Sequence, residues 1–186
     1  MERSLQGRSA VVKAKVCLVG DSGVGKTSLV RRYVLDQFDD RYISTLGAKV
    51  TKKEIRFDDP RGGGPVVVDF TIWDIMGQPS FRDLLREAYF RDAQAVLVVA
   101  DVTRRETLDH LPAWIDAVVR TVGSVPVIVA VNKADLTADA AYGPADAVHT
   151  AEPFGADVFV TSAKTGDNVE TAFRRLASRV LEQAFR

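Results

Sequence analysis

Two stretches, Ala-Val-Leu-Val-Val-Ala at residues 95–100 and Val-Pro-Val-Ile-Val-Ala-Val at 125–131, are apolar at almost every position. Successive side chains of a strand point to opposite faces, so a strand with one wet face alternates apolar and polar residues. These runs do not alternate, and each requires cover above and below. Helical patterns between the runs supply it. In the last of them Val169, Phe173, Leu176 and Val180 recur at spacings of three and four, which puts them on one stripe. Such a chain folds as an α/β layer structure.

The full pattern alternates strands and helices. Strands are predicted at Lys15–Val19, Lys49–Phe57, Val66–Trp73, Ala95–Ala100, Val125–Val131 and Val158–Thr161. Helices are predicted at Lys26–Leu35, Ser80–Tyr89, Arg105–Val122, Pro144–Ala151 and Asn168–Phe185. Alternation of this kind implies a mostly parallel sheet with right-handed crossovers. Ligands of such sheets bind beyond the C-terminal ends of the strands. The stretch Phe57-DDPRGGGP-Val66 reads as a hairpin tip, and residues 1–13 as a flexible polar leader before a single domain at 14–186.

With 186 residues the chain has room for one domain with a sizeable core. Lys plus Arg and Asp plus Glu are balanced at 25 each, so no overall field favours nucleic acid or an anionic membrane. The single Cys17 leaves no internal disulfide and reads as a small buried hydrophobe. His110 and His149 lack metal-ligand spacing and read as surface residues on helices. No apolar stretch approaches a membrane span, and no signal-peptide core is evident. Glu2 follows Met1, and no C-terminal CaaX cysteine is present, so no common terminal lipid anchor is evident. A cytoplasmic protein is expected.

Gly20-Asp-Ser-Gly-Val-Gly-Lys-Thr27 follows the first strand and opens the first helix. This is the P-loop pattern GxxxxGK[ST] in its required context. The glycines let backbone N–H groups turn inward around phosphates, and the helix N-terminus adds a positive dipole end. Lys26 can reach the β- and γ-phosphates, and Thr27 can offer a hydroxyl to Mg²⁺. Asn132-Lys-Ala-Asp135 and Ser162-Ala163-Lys164 follow the strands at 125–131 and 158–161, at the same end of the sheet. Asp135 can accept from guanine N1–H and its amino group, a donor pair that adenine lacks. A backbone N–H of Ser162–Lys164 can reach the guanine O6. GTP is favoured over ATP.

With GDSGVGKTSLVRRY, YISTLG, WDIMGQPSFR, VLVVADVT, NKAD and TSAK in that order, the chain from Lys15 to Phe185 resembles a Ras-superfamily small GTPase of the Rab branch. The resemblance implies a P-loop G domain: a six-stranded, mostly parallel sheet flanked by helices on both faces, with the second strand antiparallel. It implies a switch between GTP and GDP forms, with protein effectors and activating and exchange factors as partners. The expected nucleotide contacts are Asp21, Ser22, Gly23, Val24, Gly25, Lys26, Thr27 and Ser28, then Phe38, Tyr42, Thr45 and Gly77. Asn132, Lys133, Asp135, Ser162, Ala163 and Lys164 complete the set. Phe38 and Lys133 would cover the two faces of the base. Thr27, Thr45 and Asp74 would hold Mg²⁺. Gln78 would orient the attacking water, with Lys26, Thr45 and Gly77 as its catalytic companions.

Three features depart from the family pattern. Met76 stands where a small residue is usual, Pro79 follows Gln78 and restricts it away from the α region, and the hairpin tip is long. Arg41 lies near Thr45, but not at the offset of the built-in arginine of heterotrimeric G-protein α subunits. A nucleotide-dependent binding module without turnover is the competing reading, and the retained Gln78 and Thr45 favour hydrolysis. A P-loop kinase would leave Asn132–Asp135 without a purpose.

Overall fold

The apolar runs form the middle of a six-stranded sheet of order β2-β3-β1-β4-β5-β6 in the computed structural model, which describes residues 10–41, 43–58, 64–78 and 88–185. The strands are β1 (Ala10–Val19), β2 (Ala48–Phe57), β3 (Val66–Ile75), β4 (Ala95–Asp101), β5 (Val127–Asn132) and β6 (Asp157–Val160). β2 runs antiparallel to β3, and every other pairing is parallel. The expected topology is the one found.

Helices α1 (Lys26–Leu35), α2 (Arg105–Asp109), α3 (Leu111–Val122), α4 (Pro144–Ala151) and α5 (Val169–Ala184) cover the sheet. Two separate cores result, because alternate residues of each strand face opposite ways. Leu97 and Val99 pack with Leu29, Tyr33, Phe173 and Leu176 of α1 and α5. Val96, Val98 and Ala100 pack with Leu111, Trp114, Ile115 and Val118 of α3. Tyr33 stacks on Phe173 with ring centroids 4.0 Å apart, which locks α1 to α5. Cys17 is buried in the second core as expected, and burial pushes its thiol up to about 12.

Several boundaries differ from the predicted ones. β1 starts at Ala10 rather than Lys15, pairing Ala10–Lys13 with Val66–Asp69. Residues 10–13 thus belong to the sheet, not to a leader. A strand running beyond the covered part of a sheet needs no two-faced apolar run to announce it. β5 starts at Val127 rather than Val125, since Pro126 has no N–H to give to the ladder. Its carbonyl still accepts from the Val96 N–H at 2.9 Å.

The helix expected over Arg105–Val122 breaks at His110 into α2 and α3. Pro112 cannot donate to the carbonyl four residues back and would clash with it, so the helix restarts with proline in its first turn. Of the helix predicted at Ser80–Tyr89, residues 80–87 lie outside the described residues, and 88–90 are helical. The leader residues 1–9, Tyr42, Pro79 and the centre of the hairpin tip at 59–63 lie outside them too.

Candidate functional site

The C-terminal ends of β1, β4 and β5 open onto a groove of about 380 Å³. Its phosphate-loop wall is Ser22, Gly23, Gly25, Lys26, Thr27 and Ser28. Phe38, Thr45 and Gly77 close one side, and Asn132, Lys133, Asp135, Ala163 and Lys164 form the far end. Segments more than a hundred residues apart in sequence therefore meet where the topology puts all the strand ends.

Two glycines of the loop are required by geometry. Gly20 has φ +135° and Gly25 φ +101°, both in the left-handed half of the map. A Cβ on Gly20 would run into the Val99 carbonyl, and one on Gly25 into the Asn132 amide. The loop can thus lie flat on β4 and β5 only with glycine at these points. Lys26, 6% exposed, donates from Nζ to the Gly20 and Asp21 carbonyls at 2.7 and 2.8 Å. Burial lowers its pKa to about 8, partly countered by the charges of Asp74 and Asp21. The ammonium is held under the loop, beside the groove.

Three oxygens converge next to it. Thr27 Oγ1 donates to Asp74 Oδ2 at 2.5 Å and stands 3.0 Å from Thr45 Oγ1. Asp74 Oδ1 is buried with no hydrogen-bond partner among the described residues, and burial raises the pKa of this carboxyl against the pull of Thr27 and Lys26. A buried, unpartnered carboxylate oxygen beside two hydroxyls is a donor set that fits a hard divalent cation such as Mg²⁺. No cluster of three His, Cys, Asp or Glu suited to a metal exists among the described residues.

At the other end, Asn132 braces the loops. Its Nδ2 donates to the Val24 carbonyl at 3.0 Å, while its Oδ1 accepts from Thr161 Oγ1 and the Ala163 N–H, each at 3.2 Å. Ser162 Oγ donates to Asp135 Oδ1 at 2.6 Å and accepts from the Thr165 N–H at 3.1 Å. Asp135 is thereby aimed rather than free to rotate. Lys133 has φ +67°, and its Nζ lies 2.6 Å from Asp101 Oδ2.

The structure gathers most of the predicted residues but not all. Val24 is buried in the first core and contributes its carbonyl. Ser162 is buried behind Asp135, and Tyr42 lies outside the described residues. Asp21 turns its carboxylate away from the groove: Oδ1 accepts from Trp114 Nε1 at 2.8 Å and Oδ2 lies 2.6 Å from His110 Nδ1. His110 is exposed, as expected of a surface histidine, and its ring also faces the Asp21 carboxylate of the phosphate loop. The helix break at Pro112 orients it. Gln78 is exposed and does not line the groove, whereas Gly77 presses against the Gly20 and Asp21 backbone. Arg41 lines the groove but is paired with Asp39 at 3.1 Å.

Sequence reasoning missed Asp101, Arg104 and Trp114. Asp101 carried a usable signal, being a carboxylate directly at the end of a strand covered on both faces. The bonds of Arg104 to Ser22 and of Trp114 to Asp21 span 82 and 93 residues, beyond any local pattern.

Comparison with known proteins agrees with this geometry. The Ras family profile matches residues 15–182. The chain is 36% identical to the Ras-related protein Rab-21 of Geodia cydonium over 176 residues, spanning 94% of this chain and 74% of that protein. It is 35% identical to the Ras-related protein Rab-36 of Homo sapiens, spanning 98% of this chain and 67% of that protein. The Ypt/Rab-type GTPase YPT7 of Saccharomyces cerevisiae is also 35% identical, across 91% of this chain and 82% of its own length. The chain therefore belongs to the Ras family, as a Rab-like small GTPase: a guanine-nucleotide switch that hydrolyses GTP.

Proposed function

We propose that the groove holds the guanine at Asp135 and the phosphates over Gly23–Ser28, and that Gln78 orients the attacking water. The observation that carries this reading is the convergence of Thr27, Thr45 and Asp74 Oδ1, unpartnered among the described residues, beside the buried Lys26 ammonium. Thr27, Thr45 and Asp74 would hold Mg²⁺, which when bound neutralises charge on the phosphate oxygens. Lys26 adds a positive charge to the same end, and Gly77, pressed against the loop, would offer its N–H to the γ-phosphate. In-line attack by water then needs positioning rather than covalent help.

Gln78 must move inward from its exposed position to act, and such ordering of a segment by the γ-phosphate is the usual repertoire of these switches. The same motion would present 44–50 and 74–89 to protein effectors. Ile43, which lines the groove, and Leu46, next to Thr45, support this reading, being 72% and 87% exposed. Activating and exchange factors would act on these segments, with the cytoplasm as the expected compartment. No helix among the described residues is long and apolar enough to cross a membrane.

Turnover should be slow, because Arg41 is held by Asp39 and Met76 lines the groove beside Gly77. Ras itself hydrolyses GTP at about 3–5 × 10⁻⁴ s⁻¹, and this chain should fall at or below roughly that order. The test is single-turnover phosphate release from GTP-loaded protein. Gln78→Leu should be slower by at least about tenfold, or 1.4 kcal/mol of barrier, with GTP binding nearly intact. A variant as fast as the parent would remove Gln78 from the chemistry. A parental rate above about 10⁻² s⁻¹ would refute slow turnover.

A further inference from the structure

Asp101 ends β4 with its carboxylate 1% exposed, yet it is saturated with partners. Oδ1 accepts from the Thr103 N–H at 2.9 Å and Thr103 Oγ1 at 2.7 Å. Oδ2 faces Lys133 Nζ at 2.6 Å and Arg104 Nε at 3.1 Å. Burial pushes the carboxyl up, but the Lys133 and Thr103 hydrogen bonds outweigh it and hold the group below the usual carboxylate range. The other arm of Arg104 reaches further: Nη2 donates to the Ser22 carbonyl at 2.9 Å.

One continuous chain of charged hydrogen bonds thus runs Lys133, Asp101, Arg104, Ser22. Lys133 lines the groove's base end, and Ser22 belongs to its phosphate loop. A guanidinium suits the bridging position because its fork can serve a carboxylate and a carbonyl together, which an ammonium does less well. Removing the carboxylate would leave two cations facing one another. Removing the guanidinium would leave the Ser22 carbonyl without this donor and the Lys133–Asp101 pair without its outer brace.

We propose that Asp101 and Arg104 are positioning residues that couple the base end of the groove to its phosphate loop and thereby set how fast guanine nucleotide leaves. The proposal rests on the assignment of the two groove ends made above. Neither residue needs to touch the nucleotide. Each acts by fixing a residue that does, so loosening one end should already have loosened the other.

The experiment measures release of a fluorescent GDP from the full chain. Arg104→Ala and Lys133→Ala should each speed release by about five- to tenfold, the range of ordinary coupling between sites. The double variant should fall short of the product of the two by at least about fivefold, since both break one chain. On an Asp101→Asn background, Arg104→Ala should add less than about twofold. Arg104→Lys should melt within about two degrees of the parent, yet still release GDP several-fold faster, because it cannot fork. That separation is one a purely structural arginine would not give.

Release from Arg104→Ala within twofold of the parent would overturn the proposal. So would effects that simply multiply and persist on the Asp101→Asn background. Should Arg104→Ala fold poorly, Arg104→Lys alone decides, by release at the parental rate or faster. Asp135→Asn guards the groove assignment itself, since an amide there should trade guanine preference for xanthine. If that variant still prefers GDP over xanthosine diphosphate, the assignment fails and the coupling with it. If the preference switches but Arg104→Ala releases GDP at the parental rate, only the coupling is wrong.

Discussion

Lys26 shows how burial and charge share one side chain. Its ammonium, under the phosphate loop and 6% exposed, has a pKa lowered to about 8, chiefly by burial. For the folded chain the sign is that of any depressed pKa: this contribution is full above the unfolded value of 10.5 and is lost as pH falls toward 8. Binding reverses the preference, because phosphates favour the charged form. GDP affinity should therefore fall as pH rises through about 8, by up to about tenfold per unit, while Lys26→Met, weaker throughout, should lack that slope. Affinities measured from pH 7 to 9.5 decide it, and equal slopes would count against the assignment. The place of Lys26 under the loop was legible because a lysine after two glycines at a strand–helix junction has little room to go elsewhere. The side chain of Asp21 was not legible. Position in the motif put it among the phosphate contacts, whereas its carboxylate goes to Trp114 and His110 on another element.

At the scale of elements, periodicity revealed the strands and helices, and chain chemistry moved their ends. The runs at 95–100 and 125–131 became β4 and β5 because an uninterrupted apolar pattern has few alternatives inside a sheet covered on both faces. Pro112 was visible in the sequence, yet the apolar spacing across it reads as one helix, and only the missing N–H divides α2 from α3. The segment after β3 shows the same limit. Gly77 was expected among the nucleotide contacts, but nothing local shows that its Cα lies against the phosphate loop. An added Cβ would stand 2.5 Å from the Gly20 carbonyl oxygen and from the Asp21 carbonyl group. Gly77→Ala must therefore push this segment off the loop. GTP hydrolysis should drop at least about tenfold, a barrier increase of 1.4 kcal/mol, because the segment carries Gln78 with it. GDP release should stay within about twofold, since the other loop contacts remain. Phosphate release and fluorescent-GDP release on one preparation test both halves, and an unchanged hydrolysis rate would show that the segment need not approach.

At the scale of the whole molecule, the sheet order brings three oxygens together that the chain keeps apart. Thr27 comes from the start of α1, Thr45 from the segment before β2, and Asp74 from the end of β3, 47 residues after Thr27. Their shared site was readable from motif order, but its electrostatic state was not. Among the described residues Asp74 Oδ1 is buried without a partner, which leaves a polar group uncompensated at the junction of three elements. A divalent cation seated there would offset that cost and tie the elements together. At a hundredfold excess over its dissociation constant, a ligand adds about 2.7 kcal/mol of stability. For a domain of this size that corresponds to about 5–10 °C in melting temperature. Chelating Mg²⁺ from GTP-loaded protein should therefore lower its melting temperature by about that much. In Asp74→Asn the carboxylate charge is gone while the size is kept, so the same chelator should shift melting by less than about 2 °C. Paired melting curves with and without chelator make the test. A shift as large in Asp74→Asn as in the parent would show that the cation is held elsewhere.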